Sequence, residues 1–167
     1  MLPDTTITFR SPRITDGAAI WRLVREIEAF DLNSPYAYFV FGEHFAGTCV
    51  VAVRNDAIVG FVLAYIPPIF PDSLFVWQVG TAKTTRRQGL ALQMILTILR
   101  RRSCRHIESL RTTVTPSNRP SRALFTAVAR LVGGKLEEQS EYLRAEWFPE
   151  HNHEAESLFV ISPIRLA

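Results

Sequence analysis

Three stretches of this chain carry residue types that can do chemistry. The first is Trp77-Gln78-Val79 followed, after a short gap, by Arg86-Arg87-Gln88-Gly89-Leu90-Ala91. A β-rich run leads into an arginine-rich loop with a glycine, and a periodic apolar run follows. Backbone N–H groups at a helix start have no intrahelical partner, and the helix dipole favours an anion there. Gly89 removes a side chain where an anion would approach the backbone. Arg86 and Arg87 add planar donors suited to phosphate. The pattern fits a pyrophosphate site, and it equally fits an ordinary turn. Neither Gly-x-x-x-x-Gly-Lys-Ser/Thr nor Gly-x-Gly-x-x-Gly occurs, which disfavours a P-loop enzyme or a dinucleotide oxidoreductase.

The second stretch is the late polar run with His151, His153, Glu154 and Glu156. It reads as an exposed loop or as a source of acid and base groups. Its i, i+2 histidines suit a metal on a strand, but no third cluster completes a zinc site, and no metal is expected. The third is Asp31, a turn or cap carboxylate, with the aromatic residues Tyr38 and Trp77. Each aromatic either fills a core or lines a site, where a ring can lie against a cation.

The positioning elements follow from periodicity. Thr6 to Arg10 reads as a strand. Thr15 or Asp16 can cap a helix with Ile20, Leu23, Val24 and Ile27 on one face. Ser34-Pro35 is an N-cap followed by proline at the first helical position, opening a helix to about Phe45. Cys49 to Arg54 and Ile58 to Ile66 flank Asn55-Asp56 as a hairpin. Leu74 to Thr81 is a strand. Leu90, Met94, Ile95, Ile98 and Leu99 form the apolar stripe of a third helix. Its basic end, Arg100 to Arg102, suits the negative pole of the dipole and reads as a solvated face. Ser109 to Thr115 is a strand. Pro116-Ser117-Asn118 opens a fourth helix with Leu124, Phe125, Val128, Leu131 and Val132 on one face, ended by Gly133-Gly134. Lys135 to Leu143 and Ser157 to Ile164 are the last β runs. The order β-α-α-β-β-β-α-β-α-β-β implies a mixed α/β (α+β) sheet protein.

The chain has 167 residues, net charge +3, 47% hydrophobic and 21% charged residues, values that fit one folded domain spanning 1–167. Cys49 and Cys104 are too few for a disulfide scaffold, and no apolar run reaches the ~20 residues of a membrane span. The beginning lacks the basic-then-apolar order of a signal peptide, so a cytoplasmic protein with reduced thiols is expected. Lys83 and Lys135 are the only lysines; arginine supplies the rest of the positive charge. Its clusters would suit a nucleic acid or a phosphate-bearing cofactor, and composition does not choose between them.

The loop resembles the acetyl-CoA signature of the GNAT N-acetyltransferases, Gln/Arg-x-x-Gly-x-Gly/Ala, through Arg86, Gly89 and Ala91. Phe75 to Val79 resembles the strand that precedes it. Asn118, Ser121, Leu124 and Phe125 resemble the family's later helix motif. A narrower resemblance, to the diaminobutyrate acetyltransferases of ectoine synthesis, rests on Asp31-Leu32-Asn33-Ser34-Pro35-Tyr36-Ala37-Tyr38, Glu43-His44-Phe45, Thr48 to Ala52, Phe75 to Val79, Thr112 to Asn118 and His153-Glu154-Ala155-Glu156. Ala91 and Ser162 stand where the pattern suggests glycine.

The resemblance implies a GNAT fold: a mixed, mostly antiparallel sheet of six to seven strands flanked by about four helices. It implies acetyl transfer from acetyl-CoA to the γ-amine of L-2,4-diaminobutyrate in a homodimeric enzyme, without metal or nucleic acid. Gln78, Val79, Arg86, Arg87, Gln88, Gly89, Leu90, Ala91 and Asn118 would contact the cofactor. Asp31, Asn33, Tyr38, Trp77, His153 and Glu156 would bind the substrate. Glu156 would be the general base or the γ-ammonium ligand, and His153 would orient it or meet the substrate carboxylate. Phe125 occupies the place where many relatives carry a thiolate-protonating tyrosine; it has no proton to give and also fits a core position. An acetyltransferase for another diamine, such as ornithine or lysine, and a nucleic-acid-binding module are the competing readings.

Overall fold

The hairpin at Asn55-Asp56 shows how local chemistry sets this fold. Both residues adopt positive φ, 49° and 61°, which Asn and Asp tolerate better than other non-glycine residues. The turn joins β2 (Val50–Arg54) to β3 (Ala57–Tyr65) in antiparallel register, with Val51 opposite Phe61. These are coordinates of a computed structural model, which describes residues 6–27, 32–149 and 152–166.

The chain divides into two compact units, Met1–Tyr65 with Trp77–Arg105, and Ile66–Val76 with His106–Ala167. The strand β4 (Ser73–Thr81) passes from the second into the first. In the first unit β1 (Thr8–Arg10) pairs antiparallel with β2, β2 with β3, and β3 neighbours β4. In the second, β4 pairs in parallel with β5 (Ser109–Val114) over Ser73 to Phe75. The strand β7 (Glu156–Ser162) then lies antiparallel between β5 and β6 (Lys135–Leu143). The described strands number seven in the order β1-β2-β3-β4-β5-β7-β6. The mixed sheet and the order of elements agree with the expectation.

In the first unit, α1 (Gly17–Ile27) buries Ile20, Leu23, Val24 and Ile27, the four residues its spacing selects. They form a core with Tyr38, Cys49, Val51, Phe61 and Leu63. The helix α2 (Pro35–His44) starts where Ser34 Oγ accepts from the Tyr36 amide at 3.3 Å. The helix α3 (Leu90–Leu99) packs on β2 and β3. A Cβ on Gly60 would come within 3.1 Å of Met94 and 3.2 Å of Leu90, whereas the next residue, Phe61, faces the α1 core. Successive strand residues point to opposite faces, so α1 and α3 cover opposite faces of this unit's sheet.

The arginines after α3 correct the reading of a solvated helix end. Arg100, Arg102 and Arg105 are exposed, but Arg101 folds inward. Its Nη1 donates to the carbonyls of Ala46 (3.3 Å), Gly47 (2.9 Å) and Cys49 (2.6 Å). Burial pulls its pKa below the usual arginine value.

In the second unit, α4 (Arg119–Leu131) is capped by Asn118, whose Oδ1 accepts from the Ser121 amide at 3.1 Å. Phe125, Val128 and Ala129 are buried. Leu131, expected on the buried face, is 56% exposed, whereas Val132, the C-cap residue beside it, is buried. Gly133, at φ +63°, forms the ending: its amide meets Arg130 O, and the Gly134 amide meets Ala129 O.

Candidate active site

The loop before α3 is built from its base upward. The Ala82 amide donates to Val59 O at 2.8 Å, and the buried Thr85 hydroxyl reaches Val59 O and Ala82 O. The chain then rises into Arg86, Arg87, Gln88 and Gly89, all exposed. Arg87 lies at φ +61° and Gly89, the N-cap residue of α3, at φ +71°. No side chain caps this helix start, so its first amides keep their donor capacity. A Cβ on Gly89 would meet only Gln93 Nε2, at 4.0 Å, so the approach to the backbone is open. Leu90 is buried and anchors the turn; Ala91 is half-buried beside it. Gln88 turns its amide back to Thr84 O at 3.3 Å. Exposed guanidinium groups beside uncapped amides form a donor set that fits phosphate.

The same unit brings Asn33, Tyr38, Trp77 and Gln78 together. Tyr38 has no accessible surface, and its hydroxyl donates to Gln78 Oε1 at 3.2 Å. Asn33 is its second side-chain partner; burial still pushes the phenol pKa up. The indole of Trp21 donates to Asn33 O at 3.2 Å and so holds the segment before α2. Trp77 stacks on Phe41 with centroids 4.8 Å apart and planes at 2°, and lies 6.2 Å from Tyr38. Asp31 lies outside the described residues. Val79 is half-buried on β4, one residue beyond Gln78.

The second unit holds His153 and Glu156. His153 Nε2 lies 3.7 Å from Glu156 Oε1, and both side chains are about four-fifths buried, at 20% and 19% exposure. Its Nδ1 is 2.6 Å from Glu154 O, and because a carbonyl only accepts, Nδ1 carries a proton. Nε2 is thereby the ring atom that faces the carboxylate. Phe148 stacks on the imidazole at 4.0 Å. Glu154, in turn, accepts from the Ser117 hydroxyl of the turn before α4. Sequence reasoning missed this tether, because no spacing rule links residues 117 and 154.

Asn118, expected at the cofactor, uses its side-chain oxygen to cap α4. Phe125 is 1% exposed, a core side chain. Among the described residues, no group of three or more His, Cys, Asp or Glu side chains could hold a metal ion. No described helix is long and apolar enough to cross a membrane.

Residues 18–129 match the Acetyltransferase (GNAT) family. The chain belongs to the GNAT acetyltransferase family. Within it, this acetyltransferase is 45% identical over 161 residues to the L-2,4-diaminobutyric acid acetyltransferase of Halalkalibacterium halodurans, covering 96% of this chain and 84% of that one. It is 44% identical to the enzyme of the same name from Marinococcus halophilus, covering 95% and 91%. A solved structure of the diaminobutyrate acetyltransferase from Paenibacillus lautus, in complex with L-2,4-diaminobutyric acid and coenzyme A, superposes with a TM-score of 0.91. That pair is 41% identical over 95% of this chain and 96% of the other.

Proposed function

We propose that this acetyltransferase moves the acetyl group of acetyl-CoA to the γ-amine of L-2,4-diaminobutyrate, giving N-γ-acetyl-L-2,4-diaminobutyrate for ectoine synthesis. The observation that carries the proposal is the near-complete, 41% identical match to the Paenibacillus enzyme bound to that amino acid and coenzyme A.

An alkyl ammonium with pKa near ~10 is almost wholly protonated at neutral pH, so the amine has to lose a proton before attack. Acetyl-CoA supplies the acetyl group as a thioester, whose thiol is the easier group to expel. Glu156 is the proposed base: it orients the γ-ammonium and then accepts its proton, directly or through water. His153 is the proposed positioning residue. Its Nδ1 is engaged by Glu154 O, which leaves Nε2 toward the carboxylate.

The amides near Gln78 and Val79 are proposed to stabilise negative charge on the carbonyl oxygen. Arg86, Arg87 and the amides from Gly89 to Ala91 are proposed to hold the phosphates, with Gln88 shaping the loop. Asp31 is proposed to take an ammonium group, and Trp77 to lie against a cation. Phe125 has no proton to give, so the thiolate leaves unassisted or another group protonates it. The enzyme is proposed to work as a cytoplasmic homodimer.

The test is incubation of the purified protein and of Glu156→Gln with acetyl-CoA and diaminobutyrate, following thiol release and product mass. The wild type releases thiol and forms a monoacetylated product; Glu156→Gln loses turnover and keeps its affinity for acetyl-CoA. A folded wild type that acetylates neither amine contradicts the assignment. Unchanged turnover in the variant removes Glu156 as the base.

A further inference from the structure

The structure sets Gln78 Oε1 against the Tyr38 hydroxyl, which leaves the Nε2 end of a nearly buried carboxamide for a ligand. Tyr38 is 0% and Gln78 8% exposed. A phenol has one proton to give, and Tyr38 gives it to Gln78 Oε1. With Oε1 occupied, the Gln78 amide presents its Nε2 donors.

Nε2 has no hydrogen-bond partner among the described residues. No buried side-chain nitrogen or oxygen among them is unsatisfied either, so Nε2 reaches accessible surface. A nearly buried carboxamide with its oxygen engaged and an unused donor is matched to an acceptor. Diaminobutyrate offers two ammonium groups, which only donate, and one carboxylate, which only accepts. With Oε1 turned to the Tyr38 hydroxyl, the amide meets an acceptor rather than an ammonium.

We infer that Gln78 Nε2 donates to the α-carboxylate of the amino-acid substrate, and that Tyr38 acts through Gln78 as a positioning residue. Gln78 thereby distinguishes an amino acid from a plain diamine. The inference rests on the proposed diaminobutyrate chemistry. It gives Tyr38 a task without substrate contact and the Gln78 side chain a task separate from the β4 backbone.

1,3-Diaminopropane has the same amine spacing as diaminobutyrate and lacks the carboxylate, so it isolates the contact. The experiment measures kcat/KM for both compounds in wild type, Gln78→Leu, Gln78→Glu and Tyr38→Phe; competitive inhibition constants replace kcat/KM where turnover of the diamine is too slow. Affinity for acetyl-CoA and the circular dichroism spectrum report folding. Gln78→Leu should lower the preference for diaminobutyrate over the diamine by roughly 10- to 100-fold, the range for losing a hydrogen bond to a charged group. Gln78→Glu, which keeps the Tyr38 contact but opposes one carboxylate with another, should lower it at least as far. Tyr38→Phe should lower it less, because the amide survives but is free to rotate. A preference that stays at the wild-type value in a folded Gln78 variant overturns the inference. So does a loss shared equally by both compounds. A wild type inactive on diaminobutyrate defeats the underlying proposal instead, and the two failures are thereby distinguished.

Discussion

Replacing Arg101 with alanine removes one guanidinium that serves three carbonyls, those of Ala46, Gly47 and Cys49, at 3.3, 2.9 and 2.6 Å. The three losses are unequal. Gly47 is exposed and its carbonyl can take water in exchange, while Cys49 has no accessible surface. A hydrogen bond from a charged donor contributes ~1.5–3 kcal/mol, and a stranded buried carbonyl costs about 1–3 kcal/mol. Against this stands the cost of burying the guanidinium, the main reason its pKa falls. The net expectation is a loss of roughly 2–4 kcal/mol. For a chain of this size that corresponds to about 5–15 °C in Tm. Urea titration followed by far-ultraviolet circular dichroism and tryptophan fluorescence measures it, with Arg101→Lys as a companion that keeps the charge and loses the planar fork. The lysine variant should fall between wild type and alanine. An alanine variant within ~0.5 kcal/mol of wild type, the range of an ordinary surface change, would refute the reasoning.

Three further outcomes follow from the geometry. The Arg10 guanidinium, aided by the Arg13 amide, holds the Asp16 carboxyl below the usual carboxylate range. Its contribution is therefore complete above the unfolded pKa near ~4 and is lost as pH falls through the lower folded value. Asp16→Asn should cost roughly 1–3 kcal/mol at pH 7, a gap that closes in acid; a gap that widens there contradicts the assignment. Arg86→Ala should weaken acetyl-CoA binding by roughly 10- to 100-fold, and calorimetry showing equal affinity removes that contact. Burial pushes the Cys49 thiol up to about 12 and the Cys104 thiol up as well. Both should resist a thiol reagent at pH 8 in the folded protein and react on unfolding; rapid labelling of the native chain would count against their burial.

What the sequence made legible was mostly local. Ser34-Pro35, Asn118 and Gly133-Gly134 act through neighbours a few residues away, so their helix boundaries could be read directly. The Asn55-Asp56 turn needs only two positive φ values. The α1 stripe and the central burial of β3 follow from periodicity and an apolar run. The features that escaped act across long sequence separations. Arg101 looked like part of a solvated basic end, yet its acceptors lie more than fifty residues earlier. Tyr38 reads equally as core or site; its hydroxyl's partner, Gln78, lies forty residues on. The Ser117–Glu154 tether joins two turns that no local pattern connects. The His153–Glu156 pair was legible because it lies within one turn of chain, although its setting between Phe148 and Glu154 O was not.

The central claim is transfer of one acetyl group to the γ-amine of diaminobutyrate, and proton–carbon correlation NMR of the reaction with ¹³C-acetyl-CoA reads it directly. The account predicts a single product whose γ-methylene resonances move and couple to a new amide, with the α-CH still beside a free amine. An α-acetylated product, or no labelled product from folded protein, would contradict it.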